Sequence, residues 1–71
     1  MKVEELKTYA HISVVTDTNG PDYPLIGQFR TRIVSEDNYY SDPKGKAIWL
    51  TYDSGFEAMI AIDKIVSIKE V

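Results

Sequence analysis

Between Lys46 and Ile62 the chain alternates side-chain character on both sides of Asp53-Ser54-Gly55. Ile48, Leu50 and Tyr52 share one face of the first arm, and Phe56, Ala58, Ile60 and Ile62 share one face of the second. A period of two marks a strand with one buried face. A three-residue loop with glycine last matches a type I turn closed by a left-handed residue, a conformation glycine adopts without a Cβ clash. The expectation is a β-hairpin turning at Asp53-Ser54-Gly55, with Gly55 at positive φ.

Other segments read as strands around this hairpin. Tyr9 to Thr16 is rich in β-branched residues, and Ala10, Ile12 and Val14 alternate with His11 and Ser13. Asp17 to Pro24 holds two prolines and an Asn-Gly pair, which break a ladder. Leu25 to Val34 resumes, with Phe29, Thr31 and Ile33 on one face and Gln28, Arg30 and Arg32 on the other; Gly27 marks a bulge or bend. Ser35 to Lys46 is a second long loop. Asp63-Lys64 interrupts the pattern as a short helical turn, and Ile65 to Val71 makes a last short strand. Near the start, Glu4 to Lys7 allows one helical turn. The expected core is Ile12, Val14, Phe29, Ile33, Ile48, Leu50, Phe56, Ile60 and Ile62.

Five short strands in this order, with a tight hairpin before a one-turn break and a final strand, resemble the SH3-like and Sm-like small barrels. The resemblance implies a mostly-β fold, a small five-stranded bent barrel with a short N-terminal helical turn, as a single domain over residues 1–71. It rests on element order. The acidic-aromatic motif and proline-tyrosine pair of SH3 peptide binders are missing, as are the Sm-type glycine and asparagine signatures. The resemblance therefore implies a fold and no functional residues.

Composition narrows the function. With 71 residues the chain makes one domain at most, with a poor ratio of core to surface. It has no cysteine, which removes disulfides, thiolate metal sites and a cysteine nucleophile together and suits a reducing compartment. The charged N-terminus does not read as a signal peptide, and no stretch is long enough to span a bilayer as a helix. The expected location is cytoplasmic, with no membrane partner. The net charge of −3 and the absence of a Lys/Arg run disfavour general nucleic-acid binding, which needs clustered positive charge.

Catalytic and metal chemistry find little footing. His11 is the one histidine, and no local sequence sets it between a hydroxyl and an acid. It reads as a partly exposed strand residue, so the expectation is no catalytic residue and no enzyme. Asp17, Asn19 and Asp22 in one loop and Glu36, Asp37 and Asp42 in another fit no EF-hand spacing and serve as ordinary turn formers. No glycine-rich phosphate loop is present. No metal or cofactor is expected.

The remaining constellation is aromatic and cationic. Trp49 has the opposite parity to Ile48 and Leu50, so it points away from the main core. If the second and third strands are neighbours, Arg30 or Arg32 shares that face. Tyr39 and Tyr40 sit together in a polar loop. Trp, Tyr and Arg are favoured at binding hot spots because they bury much area at low entropic cost. The bland reading is that Trp49 only covers the barrel and the tyrosines fold back on the domain. The functional reading is a non-enzymatic interaction module of the accessory or inhibitor type. It would bind another protein through Trp49, Arg30, Arg32, Tyr39 and Tyr40 and self-associate as a homodimer or larger oligomer. A small-barrel nucleic-acid binder using the same residues is the alternative.

Overall fold

A computed structural model describes residues 2–33 and 47–71 (for residue 33, the backbone alone). Five antiparallel strands form one sheet: β1 His11–Thr16, β2 Leu25–Ile33, β3 Ala47–Tyr52, β4 Glu57–Ala61 and β5 Ile65–Glu70. Their order in space is β4-β3-β2-β1-β5, so β4 and β5 are the two edges. They are not paired with each other, and the sheet is not closed into a barrel. A 3-10 turn at Val3–Glu5 precedes the sheet, and another at Ile62–Lys64 carries the chain from one edge to the other. Among the described residues no helix is long and apolar enough to cross a membrane.

The hairpin forms where the alternation places it. Ile48 pairs with Ile60, Trp49 with Met59 and Leu50 with Ala58. The turn closes through Gly55 N–H donating to the Tyr52 carbonyl at 2.9 Å and Tyr52 N–H donating to the Phe56 carbonyl at 2.7 Å. Gly55 has φ +98°.

The core gathers on one face of the sheet. Ile12, Val14, Ile48 and Leu50 are fully buried, and Phe29, Ile60, Ile68 and Val3 complete the cluster. Val3 reaches it from the N-terminal turn, a contribution that strand periodicity does not foresee. Ile62 falls in the second 3-10 turn and packs against the cluster half-buried. Phe56 departs from expectation: it is 74% exposed. Its parity is right, but it closes the hairpin at the tip of edge strand β4, outside the core cluster. Alternation fixes a residue's side of a sheet and says nothing of whether another element lies opposite. The expected burial of Ile33 concerns a side chain outside those described.

A second departure lies in β2. The ladder slips between Phe29 and Thr31: Phe29 pairs with Leu50 and Thr31 with Trp49, leaving Arg30 as the extra residue of a β-bulge. The bulge thus sits at Arg30 rather than Gly27. Gly27 stays in register with both Ile12 and Tyr52. A Cβ there would run into the Thr51 carbonyl and lie 2.8 Å from Tyr52 Cα, so glycine is required for close backbone approach.

Candidate functional site

The bulge decides which arginine meets the tryptophan. An unbroken strand would put Arg30 and Arg32 on one face. With the extra residue at Arg30, Thr31 pairs with Trp49 and Arg32 with Ile48. The register therefore leaves Arg30 on the Trp49 face and turns Arg32 to the Ile48 face. Arg32 forms an exposed ion pair with Glu4 at 3.8 Å, of the kind that contributes about 0–1 kcal/mol. It also helps line an open groove of about 330 Å³ between the N-terminal turn and β2, with Val3, Leu6 and Phe29.

Arg30 lies over two rings. Its guanidinium carbon is 5.1 Å from the centroid of Tyr9 and 5.7 Å from that of Trp49. Both distances are within the roughly 6 Å reach of a cation–π contact. Arg30 Nη1 donates to Thr51 Oγ1 at 3.5 Å, a long bond. Arg30 and Trp49 are half-buried, and Tyr9 is 60% exposed. Among the described residues no carboxylate pairs with Arg30. Trp49 Nε1 is buried without a hydrogen-bond acceptor among the described residues, an arrangement rare among buried donors.

Tyr9 holds its place by an unusual backbone. Ala10 N–H donates to the Lys7 carbonyl at 3.0 Å, closing a turn whose third residue is Tyr9 at φ +70°. That position in a type II turn belongs to glycine or asparagine. Two further bonds fasten the segment to β2: Tyr9 N–H to the Phe29 carbonyl at 2.6 Å, and Phe29 N–H to the Ala10 carbonyl at 2.9 Å. Sequence reading placed Tyr9 at the start of the first strand and missed it as a site residue. Lys7-Thr8-Tyr9-Ala10 carries neither glycine nor asparagine to announce the turn.

A second polar group lies at the near end of the sheet. His11 Nε2 is 2.9 Å from Asp53 Oδ1 and 3.1 Å from Oδ2, and its Nδ1 is 3.2 Å from the Val71 carbonyl oxygen. Both ring nitrogens face acceptors, so the imidazolium suits the site better than the neutral ring. The hydrogen bond to Asp53, then that to Val71, raises the His11 pKa above its ordinary 6.5.

Of the residues singled out in the sequence, Trp49 and Arg30 meet, Arg32 stands apart, and Tyr39 and Tyr40 lie outside the described residues. Among the acidic loop residues, Asp17 accepts from Thr18 Oγ1 at 3.2 Å and donates its N–H to the Lys64 carbonyl at 2.9 Å, as a turn residue does. Among the described residues no group of three His, Cys, Asp or Glu is placed to hold a metal ion. Compared with protein-family models, curated proteins and solved structures, the chain matches none.

Proposed function

We propose that this chain is a non-enzymatic interaction module of the accessory or inhibitor type. It binds another protein through the face that carries Tyr9, Arg30 and Trp49. The observation that carries this reading is the Arg30 guanidinium, lying over two aromatic rings on a face away from the core and, among the described residues, without a carboxylate partner. Arginine and aromatics anchor protein interfaces because they bury large area with few rotatable bonds to freeze. The strand order, with its one-turn link between the last two strands, supports reading the sheet as an opened form of the SH3-like or Sm-like small barrel.

The remaining elements of the reading follow from charge and chemistry. His11 uses both ring nitrogens for contacts within the fold, to Asp53 and to the Val71 carbonyl, which supports a structural role for it and a binding rather than an enzymatic function. A cysteine-free chain fits a cytoplasmic setting. Two half-buried apolar residues on the Trp49 face, Met59 and Ala61, favour self-association as well. Nucleic-acid binding is the second reading, and the separation of Arg30 from Arg32 weakens it, because fewer phosphates meet one patch.

Affinity capture from the source cells with wild-type and Trp49→Ala bait tests the proposal. Recovery of one specific protein, lost with the variant, is the expected result. Recovery of RNA or DNA, lost in Arg30→Ala/Arg32→Ala, would overturn it in favour of the second reading. Sedimentation across the micromolar range tests self-association, and a monomer mass that does not change with concentration rejects it.

A further inference from the structure

The stack on Arg30 is specific about what it lacks. A guanidinium is planar and carries five N–H donors at its edge. The rings at 5.1 Å and 5.7 Å meet the guanidinium as π-partners, and neither ring is an anion. From that edge Nη1 donates a long bond to Thr51 Oγ1 at 3.5 Å. Arg32 has Glu4 and His11 has Asp53, whereas Arg30 has no anion among the described residues. On the same face, Trp49 Nε1 is a buried donor without an acceptor among the described residues. The bulge at Arg30 and the left-handed backbone of Tyr9 hold this arrangement in place.

We infer that the Tyr9–Arg30–Trp49 stack receives one carboxylate side chain from an acidic-apolar segment of a partner protein. This names the chemistry of the partner in the reading above and rests on it. A carboxylate matches the guanidinium fork with two parallel N–H bonds, which a neutral amide cannot do. A single carboxylate fits better than an acidic run, because a chain of net charge −3 repels a polyanion before contact. Apolar residues flank the carboxylate because its neighbours here are Trp49, its cross-strand partner Met59 and the exposed ring of Tyr9.

The test follows two side-chain signals in proton–nitrogen correlation spectra: the indole N–H of the sole tryptophan, and Arg30 Nε–H. The probes are acetyl-Ala-Leu-Glu-Leu-Ala-amide, its counterpart with Gln in place of Glu, and a short oligothymidine. The Glu peptide should shift both signals saturably, with the Gln peptide about tenfold weaker or worse, about 1.4 kcal/mol. Arg30→Lys keeps the charge and loses the fork, so it should weaken the Glu peptide about tenfold while the backbone signals stay in place. Equal shifts from the Glu and Gln peptides would overturn the carboxylate and leave the protein-partner reading standing. Stronger shifts from oligothymidine than from either peptide would overturn both. No shift from the Glu peptide at millimolar concentration would overturn the inference, and the Glu-to-Gln comparison needs no variant to fold.

Discussion

His11 Nε2 donates to Asp53 Oδ1 over 2.9 Å, joining the first residue of β1 to the turn between β3 and β4. With Nδ1 directed at the Val71 carbonyl, the ring also ties that turn to the end of β5. Three segments distant in sequence therefore share one titratable group.

The pKa of this group is raised in the folded chain, so the sign of its linkage is fixed. The stabilisation is fully present below the ordinary value of 6.5 and is lost as pH rises through the higher folded pKa. A neutral ring can donate from only one nitrogen, so one of the two contacts weakens above that point. Histidine ring-proton titration by NMR should give a midpoint above 6.5. Asp53→Asn should bring it down, because Asp53 supplies the largest cause of the shift. A wild-type midpoint at or below the ordinary value would refute the arrangement.

The core separates two substitutions that look alike in sequence. Leu50→Ala empties a fully buried site and should cost on the order of 2–5 kcal/mol, a large share of the stability of a small domain. Phe56→Ala removes a larger side chain that is 74% exposed, and should change stability by roughly 0.5 kcal/mol or less. Urea denaturation of the two variants checks the ranking; equal losses would mean that Phe56 is packed.

Much of this architecture was legible because β-strands encode their faces in alternation. The hairpin, Gly55 at positive φ, and the burial of Ile12, Val14, Phe29, Ile48, Leu50 and Ile60 all follow from parity and turn chemistry. What parity cannot encode is an inserted residue. Nothing in Gln28-Phe29-Arg30-Thr31-Arg32 marks Arg30 as the bulge, yet that one residue reverses the facing of Arg32. Tyr9 escaped for a related reason: its turn lacks the glycine that ordinarily announces a left-handed residue. Phe56 shows the third limit, since side and burial are separate properties at a sheet edge.

Two glycines should fail for different reasons. At Gly27 an added Cβ meets the Thr51 carbonyl and sits 2.8 Å from Tyr52 Cα, so Gly27→Ala must push β2 and β3 apart. Backbone cannot rotate aside as a side chain can, and a loss of about 1–3 kcal/mol or more is expected. At Gly55 no atom of the described residues lies within 4 Å, so Gly55→Val pays only for the left-handed backbone, roughly 1–2 kcal/mol. Amide exchange should distinguish them. Gly27→Ala should raise exchange along the β2–β3 ladder, and Gly55→Val should act mainly around the turn. The same exchange pattern for both would contradict this division.

Tyr9 allows backbone strain and ring contact to be separated. Its φ of +70° disfavours any residue with a Cβ, and its ring lies 5.1 Å from the Arg30 guanidinium. Tyr9→Ala removes the ring and keeps the strain. Tyr9→Gly removes both. The glycine variant should therefore be the more stable of the two by about 1 kcal/mol, the cost of a left-handed residue. Tyr9→Ala should be less stable than wild type by the lost cation–π contact, about 0.5–1 kcal/mol for an exposed site. Tyr9→Gly should then lie close to wild type, because relief of strain offsets loss of the ring. Denaturant titration of the three proteins reads the order directly. An alanine variant as stable as the glycine variant would show that Tyr9 carries no left-handed strain. A glycine variant well below wild type would show that the ring contributes more than one cation–π contact.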